Sequence, residues 1–233
     1  FVWMGEILFR TKLSENLFKG LSPWLSRLPG GLIHVNVVGC ALFAAISGSS
    51  AATVATVGKM SIPELRKRKY PEKILLGSLA GSGTLGLLIP PSIILIIYGV
   101  TIEDSIAKLF MAGILPGIMI ALIFMSYVVI WSILNKRSMP KNLQNFSFSQ
   151  KIIRSKQLFP VILLITSVIG SIYTGIATAT EAASLGVVGA LFLSWFQKTL
   201  NRETFKLSLL GATKTSCMIA FILAGSTFLS LAM

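Results

Sequence analysis

Residues 30–58 read GGLIHVNVVGCALFAAISGSSAATVATVG, and how this stretch is interpreted decides the fold. It holds no Asp, Glu, Lys or Arg, and as a helix it is long enough to cross a bilayer. At its middle stand Ser47, Gly48, Ser49 and Ser50, where a spanning helix would carry bulky apolar side chains. Two short helices meeting at a polar tip are expected, because irregular backbone at membrane depth persists only where protein or a watery cavity supplies hydrogen-bond partners. Small residues that let two helices pack closely are the alternative reading of the same serines.

Charge on either side of the stretch supports the hairpin. Arg10, Lys12, Lys19 and Arg27 precede it, and Lys59, Arg66, Lys67, Arg68, Lys69 and Lys73 follow it. A single crossing would put one basic flank on the outer face, against the preference of Lys and Arg for cytoplasmic loops. A re-entrant hairpin over residues 30–70 keeps both flanks inside. Residues 1–29 then form the end of a transmembrane helix plus an amphipathic arm helix from Ser14 to Leu28, with Leu17, Leu21, Trp24, Leu25 and Leu28 at helical spacing.

The chain has 233 residues, 54% hydrophobic and 12% charged, with a mean hydropathy of +0.80. These values describe an all-α polytopic membrane protein in a lipid bilayer. The net charge of +13 sits in connections between apolar runs, so it reads as membrane orientation and excludes nucleic acid as the main partner. Cys40 and Cys217 lie in apolar segments without metal-ligand spacing and are expected to be buried packing residues. FVWMGEILF at residues 1–9 looks like the end of a helix, and the chain runs to Met233 without a polar closure. A piece of a longer protein is expected.

Residues 71–105 are long enough to cross, yet contain GSGTLG at 81–86 and then Pro90, Pro91 and Ser92. Glycine permits unusual backbone angles and proline removes a donor, so a discontinuous transmembrane helix with an unwound break is expected. GSGTLG also matches a dinucleotide fingerprint, but no strand precedes it and the prolines forbid the helix that should follow. No P-loop motif occurs, so neither nucleotide binding nor ATP hydrolysis is expected. Over residues 106–233 further crossings are expected from Ile106 to Leu134, Leu158 to Tyr173, Thr178 to Phe196 and Leu207 to Met233, with a cytoplasmic loop at 135–157. The sequon at Asn145 falls in that inner loop and is discounted.

Two broken membrane elements in succession point to a buried polar site. Half-helix ends can offer carbonyls to Na⁺ and amides to a carboxylate, and Ser47, Ser49, Ser50 and Thr84 are the candidate residues. Glu181 stands near the start of an apolar helix, either complementing its dipole or serving in coupling. His34 and Asn36 fit helix-to-helix hydrogen bonding or a proton relay. No base lies close in sequence to the serine tip, so an intramembrane enzyme is not expected. A channel would need a polar pathway lined by repeated elements.

FAAISGSSAAT at 43–53, IPEL at 62–65, GLLIPPSI at 86–93 and the following Tyr98-Gly99 resemble the large membrane subunit of tripartite ATP-independent periplasmic (TRAP) transporters. FVWMGE at 1–6 and TEAA at 180–183 resemble further parts of the same pattern. The resemblance implies a sodium-coupled importer of organic acids, of C4-dicarboxylate or sialic acid type, in the bacterial inner membrane and moving as an elevator. Its partners would be a small membrane subunit and a periplasmic substrate-binding protein. It maps a Na⁺ site onto Ser47, Gly48, Ser49, Thr84, Gly86 and Pro90, and substrate contacts onto Ser49, Ser50, Thr84, Pro91 and Ser92. A second hairpin and second ion site are implied beyond Met233, so the chain would represent about half of an inverted-repeat architecture. An ion-coupled carboxylate transporter without a binding protein, or a channel, are the rival readings.

Overall fold

A computed structural model describes residues 1–11, 13–140 and 148–232. Lys12, used in the charge reading, and the discounted sequon at Asn145 lie outside the described residues. The described residues form helices without strands: α1 Val2–Arg10, α2 Leu13–Leu25, α3 His34–Ser47, α4 Ser50–Lys67, α5 Glu72–Gly83, α6 Ile93–Thr101, α7 Ile106–Leu134, α8 Phe148–Ser155, α9 Phe159–Tyr173, α10 Ala179–Phe196 and α11 Arg202–Ala232.

The core is built around α3, which carries no Asp, Glu, Lys or Arg and whose few polar side chains are buried, so it has no face turned to water. His34 through Val37, Gly39, Cys40 and Phe43 through Ser47 are all buried. Helices α1, α2, α4, α5 and α7 surround it. Outer helices show the opposite distribution, with large apolar side chains facing away from the protein: Leu115 on α7 is 77% exposed and Phe221 on α11 is 83% exposed. Apolar groups on the outside are stable in lipid and not in water. Three helices, Ile106–Leu134, Ala179–Phe196 and Arg202–Leu229, are long and apolar enough to cross a membrane. Helix α9, with 15 residues, spans only about 22 Å at 1.5 Å per residue, less than the roughly 30 Å hydrocarbon core.

The 30–58 stretch is broken where its serines stand. Helix α3 ends at Ser47, Gly48 takes the left-handed conformation at φ 59°, and Ser49 is extended before α4 begins. A β-carbon built on Gly39 would lie 3.6 Å from Val57 Cγ1. Those residues are equally distant in sequence from Gly48, so the two arms run back alongside each other. The second arm continues as helix through Pro63 to Lys67, past the end of the charge-free stretch.

Two expectations need correction. Cys217 is exposed, whereas Cys40 is buried. The difference follows from α11, most of whose surface has no neighbour among the described residues, so an apolar sequence there faces outward. The 135–157 connection is also not loop throughout, because it contains α8. Helix α8 gains its partner from α2: Trp24 donates Nε1–H to Ser155 Oγ at 2.7 Å, and Lys151 Nζ lies 5.3 Å from the Trp24 ring centroid.

Candidate functional site

The tip is an oxygen-rich turn closed by its own hydroxyls. Ser47 is buried, and its Oγ lies 2.9 Å from Thr53 Oγ1. The Thr53 hydroxyl donates to the Ser49 carbonyl at 2.7 Å, and the Ser47 hydroxyl reaches that same carbonyl at 3.3 Å. Ser49 caps α4 by accepting from the Ala52 amide at 3.5 Å, as an N-cap serine does. Three neutral oxygens, Ser47 Oγ, Ser49 O and Thr53 Oγ1, therefore converge at one point. Thr53 closes the FAAISGSSAAT motif, yet its side-chain role needs the first turn of α4 to be formed before it can be seen.

The discontinuous helix lies directly against this turn. Helix α5 stops at Gly83, a tight helical turn covers Thr84–Leu87, and α6 begins only at Ile93. Ile93 donates its backbone amide to the Gly48 carbonyl at 3.2 Å. A β-carbon on Gly48 would stand 2.6 Å from the Pro91 carbonyl oxygen, and one on Gly86 would stand 2.8 Å from the Ser50 amide nitrogen. Both positions must be glycine for the two backbones to meet. Ser92 braces the break by donating to the Leu87 carbonyl at 2.6 Å.

Ser47, Gly48, Ser49, Ser50, Gly86 and Pro91 are thus brought together, with Ser92 buried beside them. Thr84 is exposed and its hydroxyl donates back to Gly81 O, in the last turn of α5, at 2.7 Å. Pro90 faces α7, where a β-carbon on Gly113 would lie 3.5 Å from its Cγ. Glu181 is engaged at the start of α10 in a capping box with Thr178: its carboxylate accepts from the Thr178 amide at 2.8 Å and hydroxyl at 2.9 Å. Behind the tip, a β-carbon on Gly5 of α1 would lie 2.8 Å from Ser47 Cα.

His34 and Asn36 tie α3 to its neighbours. Asn36 donates Nδ2–H to Leu75 O at 3.2 Å and Ser78 Oγ at 3.0 Å on α5. His34 lies 2.7 Å from Pro29 O and 3.1 Å from Met125 Sδ. Among the described residues no three His, Cys, Asp or Glu side chains gather as metal ligands. Neutral carbonyl and hydroxyl oxygens such as those at the tip suit a hard cation and not a soft one.

A family model for the DctM component of the tripartite ATP-independent periplasmic transporter matches residues 1–233. The chain belongs to the DctM family. The C4-dicarboxylate TRAP transporter large permease protein DctM of Pseudomonas aeruginosa is 33% identical, over 97% of this chain and 52% of its own length. The sialic acid TRAP transporter large permease protein SiaM of Vibrio cholerae is likewise 33% identical, over 97% of this chain and 53% of its own length. The isethionate TRAP transporter permease protein DctMQ of Oleidesulfovibrio alaskensis is 34% identical, over 97% of this chain and 36% of its own length. The chain spans about half the length of the DctM and SiaM permeases it matches. The DctM family comprises transporter permeases and not enzymes, and with three apolar helices of spanning length this member is a multi-pass membrane protein.

Proposed function

We propose that this chain carries one ion-and-substrate half-site of a sodium-coupled importer of organic acids. The observation that carries the reading is the meeting of the hairpin turn with the helix break, through the Ile93 amide and Gly48 carbonyl and through the Gly86 contact with Ser50. Each element alone is a small-residue turn. Together they concentrate backbone carbonyls and hydroxyls that lie outside regular helix, the kind of backbone that within a membrane needs protein partners or a polar cavity and that transporters use to hold ions and anions.

Na⁺ is assigned to the Ser47, Gly48 and Ser49 turn with Gly86 alongside, and Thr53 Oγ1 is added to the donor set. Thr84 and Pro90, nominated with them, sit on the flanks of the break and complete the site only after a local movement. The carboxylate is assigned to Ser49, Ser50, Pro91 and Ser92, where the start of α4 and the start of α6 both present helix N-termini to an anion. A neutral cage holding a cation beside an anion explains coupling: each ligand is better bound when the other is present. Inward movement of each unit charge would gain roughly 2.3 kcal/mol per 100 mV.

The relatives are named for C4-dicarboxylate, sialic acid and isethionate, which supports reading the substrate as a small organic acid. The hairpin is read as re-entrant, moving as an elevator within the bacterial inner membrane. A small membrane subunit and a periplasmic substrate-binding protein are its partners. Uptake by the complete complex in proteoliposomes, with and without a sodium gradient and the binding protein, tests the proposal. Accumulation only when both are supplied is expected, and uptake indifferent to sodium would refute it.

A further inference from the structure

A second site lies at the other end of the hairpin. A cavity of about 720 Å³ opens between the end of α1, the arm helix α2, the later turns of α4 and the connection after α10. Its lining carries six cations, Arg10, Lys19, Lys59, Arg68, Arg154 and Lys198, against one carboxylate, Glu64. Glu64 is already paired with Arg68 at 2.6 Å. Lys59 and Lys198 have no carboxylate within ion-pair distance among the described residues, and Lys59 Nζ stands 5.9 Å from the Phe9 ring centroid. A concave surface lined by charges of one sign concentrates counter-ions.

Two further features narrow the ligand. Phe9, Phe18, Leu32 and Met60 line the same cavity, so an occupant would meet an apolar wall as well as cations. Helix α2 supplies Lys19 and Ser22 to the lining, the turn directly after it supplies Ser26, and α2 also carries Trp24, which is 46% exposed. Tryptophan of this kind sits at the level of lipid headgroups, and basic pockets between helices at that level recognise anionic headgroups. The volume greatly exceeds that of an inorganic ion and suits a headgroup with its glycerol and first methylenes.

We propose that this cavity binds the phosphate-bearing headgroup of an anionic phospholipid, with Lys59 and Lys198 as phosphate partners. The arm helix, the hairpin base and the α10–α11 connection would then be joined through one lipid. The inference is independent of the ion site, since it concerns neither the tip nor the break.

The complete transporter, offered equal amounts of phosphatidylglycerol and phosphatidylcholine and examined by native mass spectrometry, provides the test. Preferential retention of phosphatidylglycerol is expected. The double variant Lys59→Gln, Lys198→Gln should lower that preference on the order of tenfold, whereas Lys59→Arg, Lys198→Arg should keep it, separating lost charge from a collapsed cavity. Equal retention of both lipids, or an unchanged preference in the glutamine variant, would overturn the proposal. Inorganic phosphate and glycerol phosphate are added as competitors: if either displaces the lipid at comparable concentration, the site is one for soluble phosphate and the lipid assignment fails.

Discussion

The backbone amide of Ile93, the first residue of α6, donates to the carbonyl of Gly48, the turn residue between α3 and α4, across 3.2 Å. The bond joins two interruptions that are far apart in sequence. It leaves the hydroxyls of Ser47 and Thr53 and the carbonyl of Ser49 facing one another at the same turn.

Gly86→Ala should separate the turn from the break, since the added methyl would stand 2.8 Å from the Ser50 amide and 2.8 Å from the Ser49 carbonyl carbon. Overpacking of this kind costs about 1–3 kcal/mol. A sodium half-saturation constant raised roughly tenfold or more, in a complex that still assembles, is expected from uptake assays.

Thr53→Val removes one hydroxyl at nearly constant volume and leaves Ser49 O without that donor. A lost hydrogen-bonding group contributes about 1 kcal/mol, so sodium should be required at roughly five- to tenfold higher concentration. Thr53→Ser, which keeps the hydroxyl, should restore wild-type dependence, and the comparison is read from sodium titrations of uptake.

Gly5 touches the reverse side of the turn, its β-carbon position being 2.8 Å from Ser47 Cα. Gly5→Leu should therefore abolish uptake while Gly77→Ala, where an added β-carbon meets nothing within 4 Å, should leave it near wild type. Both are checked against the amount of assembled complex in the membrane.

Glu181 shares a capping box with Thr178. Glu181→Ala should weaken the cap of α10 and lower stability slightly, measured as a small drop in the melting temperature of the complex, with sodium dependence unaltered. A change in the number of sodium ions coupled per turnover would instead give Glu181 the coupling duty that its position at the head of an apolar helix also permits.

The hairpin and the break were legible because backbone chemistry announces them: Ser47 to Ser50 and Gly81 to Pro91 are sequences that an uninterrupted membrane helix does not carry. Which atoms face the site was not legible. Helices that are apolar on all sides give no periodic signal for what lies against them, so neither the outward Thr84 and Cys217 nor the inward Thr53 could be oriented from spacing. Helix α8 was missed for a related reason. It is eight residues long, below the length at which propensity alone stabilises a helix, and its contacts are to Trp24, distant in sequence.

Sodium binding to the purified complete complex, followed by calorimetry in wild type and in Ser47→Ala, Thr53→Val and Gly86→Ala, addresses the shared site most directly. Sodium-specific binding, absent with potassium and weakened roughly fivefold or more by each substitution on either element, is the expected result. Sodium affinity unchanged by Gly86→Ala and Thr53→Val would contradict a site shared by the turn and the break.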